Sequence, residues 1–147
     1  MYKLDNTKFH EIEHTADTGI MATGSSLEEL FANAAFGMLS IIYHEFPRQV
    51  HDSKIVELQE SNLVELLVRW LSEINFMLLV HHFLPVHILR LQVKEINQNY
   101  NLQAVIAGGE STHQQEAIRT EIKAVTYHQL ELDRNEEGYR VRIIFDI

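Results

Sequence analysis

Gly24-Ser25-Ser26-Leu27-Glu28-Glu29-Leu30-Phe31-Ala32-Asn33-Ala34-Ala35-Phe36-Gly37-Met38-Leu39 reads as the start and body of one helix, and the fold turns on where that helix buries its apolar side. Either serine can cap the free N–H groups of the first turn, and either glutamate can reach back three residues to complete a capping box. Leu27, Leu30, Phe31, Ala34, Ala35, Met38, Leu39 and Ile42 recur at spacings of three and four, which gathers them on one face of a 3.6-residue helix. That face belongs to a core. Ala34, Ala35 and Gly37 are small, so a neighbouring element can approach closely, and Pro47 ensures that the helix has ended.

A second helix opens at Ser61-Asn62-Leu63-Val64-Glu65, where Asn62 and Glu65 stand in capping-box relation. Leu63, Leu66, Leu67, Trp70, Leu71, Ile74 and Leu78 form its apolar stripe, with Trp70 the expected core anchor. Glu65, Arg69 and Glu73 occupy the opposite face, and Glu65 and Arg69 are one turn apart in the favourable order. These charges argue against a membrane span, although residues 76–80 are densely apolar. Between the helices, residues 50–60 carry Val50, Ile55, Val56 and Leu58 among polar neighbours, the pattern of a half-exposed strand at an edge or bridge.

The flanks are strands. Residues 8–14 and 20–23 are short strands around a loop. After Pro85 the pattern alternates, with Leu89, Leu91 and Val93 expected on one side, a turn at Asn97-Gln98-Asn99, and a return through Leu102, Ala104 and Ile106 to Gly108-Gly109. Residues 110–117 are polar and irregular, a loop by composition. A second hairpin follows, with one strand over residues 121–132, a turn over 133–138 and a last strand through Val141, Ile143 and Phe145. The expected architecture is α+β, a single domain over residues 1–147 with two amphipathic helices packed on a largely antiparallel β-sheet.

Composition narrows the function classes. The chain has 147 residues, 46% hydrophobic and 22% charged, the make-up of one ordinary globular domain. It has no cysteine, which excludes thiolate zinc sites and cysteine nucleophiles. A net charge of -9 disfavours direct contact with a phosphate backbone and suits cations, or a partner protein that is itself basic. The opening Met-Tyr-Lys-Leu-Asp has no basic region followed by an apolar run, so a cytoplasmic location is expected.

His10-Glu11-Ile12-Glu13-His14 matches the H-E-x-x-H pattern of zinc hydrolases, in which a helix presents both histidines to the metal. Here the segment has a poor apolar stripe and runs into Asp17-Thr18-Gly19, so a metal-dependent hydrolase is the remoter reading. There is no phosphate-cradling glycine loop followed by Lys-Ser/Thr.

Several segments together resemble the archease family, small proteins that assist the RtcB-type RNA ligase in tRNA splicing and RNA repair. They are Glu13-His14-Thr15-Ala16-Asp17-Thr18-Gly19-Ile20, Gly24 to Phe31 with Asn33-Ala34-Ala35, Leu66-Leu67-Val68-Arg69-Trp70-Leu71-Ser72-Glu73, Gly109-Glu110, Ile122-Lys123-Ala124-Val125-Thr126-Tyr127-His128 and Ile144-Phe145-Asp146-Ile147. Ser72 and Glu116 depart from the family's usual Asn and His.

The resemblance implies a non-enzymatic activator that promotes guanylylation of the ligase and its repeated turnover, with the ligase as protein partner and no strong nucleic-acid binding of its own. It also implies a divalent-cation site, usually assigned to calcium with magnesium the alternative, at Asp17, Asp146 and Ile147. Two or three carboxylates brought together favour a divalent cation between them, and oxygen ligands favour a hard ion. His14 is expected to orient Asp17 rather than ligate, Lys123 to balance the acidic cluster, and Glu110 to be a turn residue or further ligand. Tyr127 and His128 are read as structural, with the tyrosine ring packed. A chaperone or specificity factor for a tRNA methyltransferase is the alternative role.

Overall fold

Of the two candidate serines, Ser26 caps the first long helix. A computed structural model describes residues 1–13, 17–110 and 114–147, and in it Ser26 Oγ accepts from the backbone N–H of Glu29 at 3.1 Å. The Glu29 carboxylate reaches back to the N–H of Ser25 at 2.9 Å and to its hydroxyl. The box is therefore one residue wider than the usual spacing. Helix α1 (Leu27–Ile42) is buried around most of its circumference rather than on one face, with Ala32, Asn33, Phe36 and Gly37 as inaccessible as the predicted stripe. A Cβ on Gly37 would come 2.9 Å from Ile20 Cδ1 and 3.3 Å from the Phe9 ring, so the close neighbour is a sheet.

That sheet has five strands. Strands β1 (Phe9–Glu13), β2 (Thr18–Gly24), β8 (Gly138–Asp146) and β6 (Ala124–Val125) follow in that order, and β7 (Glu131–Asn135) also pairs with β8, every pairing antiparallel. A second sheet has the order β3 (Asp52–Glu60), β5 (Asn99–Glu110), β4 (Phe83–Ile96), again antiparallel. The expected single sheet is thus two, with β3 at an edge as its half-exposed pattern required. Helix α2 (Leu63–His81) packs on the smaller sheet and reaches β6, while α1 lies on β1, β2 and β8 and also touches β4 and α2. Trp70 is fully buried where the helices meet, and its indole N–H donates to the Phe31 carbonyl at 2.9 Å.

Three local expectations need correction. Arg69 pairs with Glu60 at 2.8 Å, not with Glu65, because β3 runs alongside the start of α2. Leu89 is 42% exposed whereas Ile88 is 2% and Leu91 4%, since register shifts in β4 before His87 and between Ile88 and Arg90 break the alternation. A bulge of this kind sends one side chain to the other face. The predicted strand over 121–132 is two short strands, β6 and β7, separated by a turn in which Gln129 has φ 53° and the Leu130 N–H donates to the Tyr127 carbonyl.

The residues ahead of β6 are used elsewhere. The Arg119 guanidinium donates to the Ser40 carbonyl at 2.8 Å and its main-chain N–H to the Ile42 carbonyl at 2.7 Å, satisfying the last turn of α1. The polar stretch expected as a loop contains the end of β5 and a single helical turn, α3 (Gln114–Ala117).

Candidate functional site

Strand register brings the two ends of the chain's motif together. In the β2–β8 ladder the last pair is Thr18 opposite Phe145. Asp17 comes just before β2 and Asp146 is the last residue of β8, so both stand where this ladder ends. The ends of two paired strands therefore carry one acidic residue each. Asp17 is partly buried and Asp146 exposed, which gives the pair a wet, open side.

The main chain around the pair is tied down. The Lys123 N–H donates to the Asp146 carbonyl at 2.8 Å, and Thr126 bonds the Ile144 carbonyl through its N–H at 3.1 Å and its hydroxyl at 2.9 Å. Thr18 is buried, with its hydroxyl donating to Glu11 Oε1 at 2.8 Å, so the Glu11 carboxylate is engaged there. From α2, Asn75 Nδ2 donates to the Ile122 carbonyl at 2.8 Å and fixes the chain one residue before Lys123. Asn75 was not singled out in the sequence; its signal was a polar residue inside an otherwise apolar run on a buried helix face.

The other expected residues lie as follows. His14 is outside the described residues. Ile147 follows Asp146 and is 42% exposed. Lys123 is exposed at the start of β6, beside Asp146 through its main chain. Glu110 ends β5 in the other sheet, opposite Phe83, and lines a separate cleft of about 270 Å³ with Arg48 and His51. Tyr127 is 57% exposed, so its ring is not packed as expected. The H-E-x-x-H segment is strand β1 up to Glu13: His10 pairs with Met21 and Glu11 with Ile20, so the two side chains alternate between faces. Residues 10–13 of that segment are strand, not the helix on which a zinc hydrolase site depends.

Among the described residues no three His, Cys, Asp or Glu side chains gather as a metal site. Two carboxylates at neighbouring strand ends, with main-chain oxygens beside them, are a donor set for a hard cation that keeps several waters, and do not make a closed protein cage. Asp17, Asp146 and an oxygen of Ile147 are the residues that would hold it.

The Archease protein family (MTH1598/TM1083) matches residues 9–147. The chain belongs to the archease family. An archease from Methanosarcina acetivorans is 34% identical, over 95% of this chain and 96% of its own. One from Saccharolobus solfataricus is 33% identical, over 95% and 99%. Among solved structures, protein 1598 of Methanobacterium thermoautotrophicum matches with a TM-score of 0.80 at 28% identity, covering 95% of this chain and 99% of that one. An archease of Thermotoga maritima, described as a possible chaperone, shares the fold at a TM-score of 0.60 and 22% identity, covering 92% and 94%. Full-length coverage makes the α+β fold described above an archease fold. No helix among the described residues is long and apolar enough to cross a membrane.

Proposed function

We propose that this archease-family protein is a non-enzymatic activator of an RtcB-type RNA ligase in tRNA splicing and RNA repair. In this reading it promotes guanylylation and turnover of the ligase through a divalent cation held at Asp17, Asp146 and Ile147. Family membership supports the partner, and the single observation that carries the site is the β2–β8 pairing, which ends at Thr18 and Phe145 and so leaves Asp17 and Asp146 at neighbouring strand ends. A cation bound there, calcium or magnesium, would supply positive charge with exchangeable water positions. The chain's own contribution is to hold two carboxylates on neighbouring strand ends, with Lys123 beside them and the main chain of β8 bonded to 123–126.

The test is ligase guanylylation with purified components. Asp17→Ala and Asp146→Ala are each expected to lower stimulation by at least about 10-fold, the scale of loss when a metal site is damaged, with unfolding unchanged. Normal stimulation by both variants would remove the site assignment. The second reading is a chaperone or specificity factor for a tRNA methyltransferase. Retention and altered activity of the methyltransferase, without the ligase, would decide for it.

A further inference from the structure

The C-terminal half of α2 carries an apolar stripe that the core does not use. Phe76 is 48% exposed and Val80, one turn on, 54% exposed. They face residues 123–125 across a cleft of about 320 Å³, which Asn75 and Leu79 also line. The Phe76 ring stands edge-on to His81 at 5.2 Å, which fixes its orientation at the rim. Two half-exposed apolar side chains beside one another in a concave surface offer apolar area that a partner's side chain can cover.

The cleft also has polar features of a definite kind. Asn75 is 7% exposed, and its Oδ1 has no hydrogen-bond donor although its Nδ2 is used. Lys123 is exposed at the opposite wall, and its ammonium has no ion-pair partner among the described residues. In a chain of net charge -9 a cation left in this position favours a carboxylate. The cleft adjoins the acidic pair, since Ala124 in its wall is the strand partner of Asp146.

We propose that this α2–β6 cleft is where the protein grips the ligase, receiving an apolar ligase side chain next to an acidic residue that meets Lys123. The inference rests on the activator reading above and names the surface that reading left open. A ligase that closes over Asp17 and Asp146 covers the cleft beside them, and burial of Phe76 and Val80 adds apolar area to a contact that the acidic pair alone could hold only weakly. The ligase segment seated there supplies an N–H toward Asn75, whose carbonyl oxygen is otherwise without a donor.

Phe76→Glu and Val80→Glu test this against Ile55→Glu, which places the same charge on a side chain 73% exposed in the smaller sheet. With purified RtcB-type ligase, binding measured by calorimetry is expected to weaken by at least about tenfold in the two cleft variants, as for a central interface residue. It should stay within about twofold in Ile55→Glu. Terbium luminescence at the acidic pair should match the wild type in all three, which separates docking from loss of the cation. Wild-type ligase affinity in both cleft variants overturns the inference. So does a wild-type dimer that Phe76→Glu dissolves while ligase binding is kept. If the wild-type chain neither binds nor stimulates the ligase, the activator reading fails first and the inference falls with it.

Discussion

The two long helices begin alike and end differently. Each has a side-chain N-cap, Ser26 for α1 and Asn62 for α2, and each carries an apolar stripe at helical spacing. Yet α1 is closed in on nearly all sides, between the larger sheet, β4 and α2, while α2 leaves Phe76 and Val80 facing solvent. The first helix is scaffold over its whole length. The second buries Ile74, Met77 and Leu78 in its last turns but leaves Phe76 and Val80 on the outer side, where it lies against β6 and the strand end that bears Asp146. Two sequences with nearly the same periodicity therefore serve different ends, and what separates them is whether a second layer covers the far side.

That contrast can be broken by mutation. The largest effect is expected at Trp70, the residue that joins the helices: Trp70→Ala removes a fully buried ring and leaves the Phe31 carbonyl without its donor. A loss of about 3–5 kcal/mol in urea unfolding follows from ordinary core truncation. Next comes Gly37→Leu, which adds volume where a Cβ alone already stands 2.9 Å from Ile20. It should destabilise by about 1–3 kcal/mol, more than the helix propensity gained on losing a glycine returns. A neutral result would mean that α1 can lift from the sheet, and the description of a closed helix would fail. The smallest effect is expected at Phe76→Glu, within about 0.5 kcal/mol of the wild type, because its ring is half solvated. Asp146→Ala should be equally mild in stability, since it takes away one of two like charges at neighbouring strand ends. A large loss of stability in either would show that the outer face of α2 around Phe76, or the end of β8, is core.

Much of the fold was legible because its signals are local. The caps at Ser26 and Asn62, the stripes of both helices and the Asn97-Gln98 turn with its positive φ angles depend on residues a few positions apart. The edge position of β3 followed from its half-polar alternation. Leu89 was misplaced because a bulge shifts the alternation without altering the residue pattern. The strand pattern over 121–132 is interrupted because Arg119 is drawn to the end of α1 and the Ile122 carbonyl to Asn75, partners far away in sequence. Of the candidate site, the motif resemblance points to Asp17 and Asp146, whereas Asn75 shows in the sequence only as a polar residue within an apolar run and the cleft beside it shows not at all.

The sequence by itself determined the two helices, the hairpin of β4 and β5, the final hairpin turn and most of the residues that had to be inside, because hydrophobic periodicity and capping act over one or two turns. Only the tertiary structure decided that Asp17 and Asp146 stand at neighbouring strand ends, that β6 and not a longer strand borders them, and that Phe76 and Val80 remain uncovered. Register is set by pairing between segments more than a hundred residues apart, and exposure by whichever layer happens to lie opposite, so neither can be read from any one stretch of the chain.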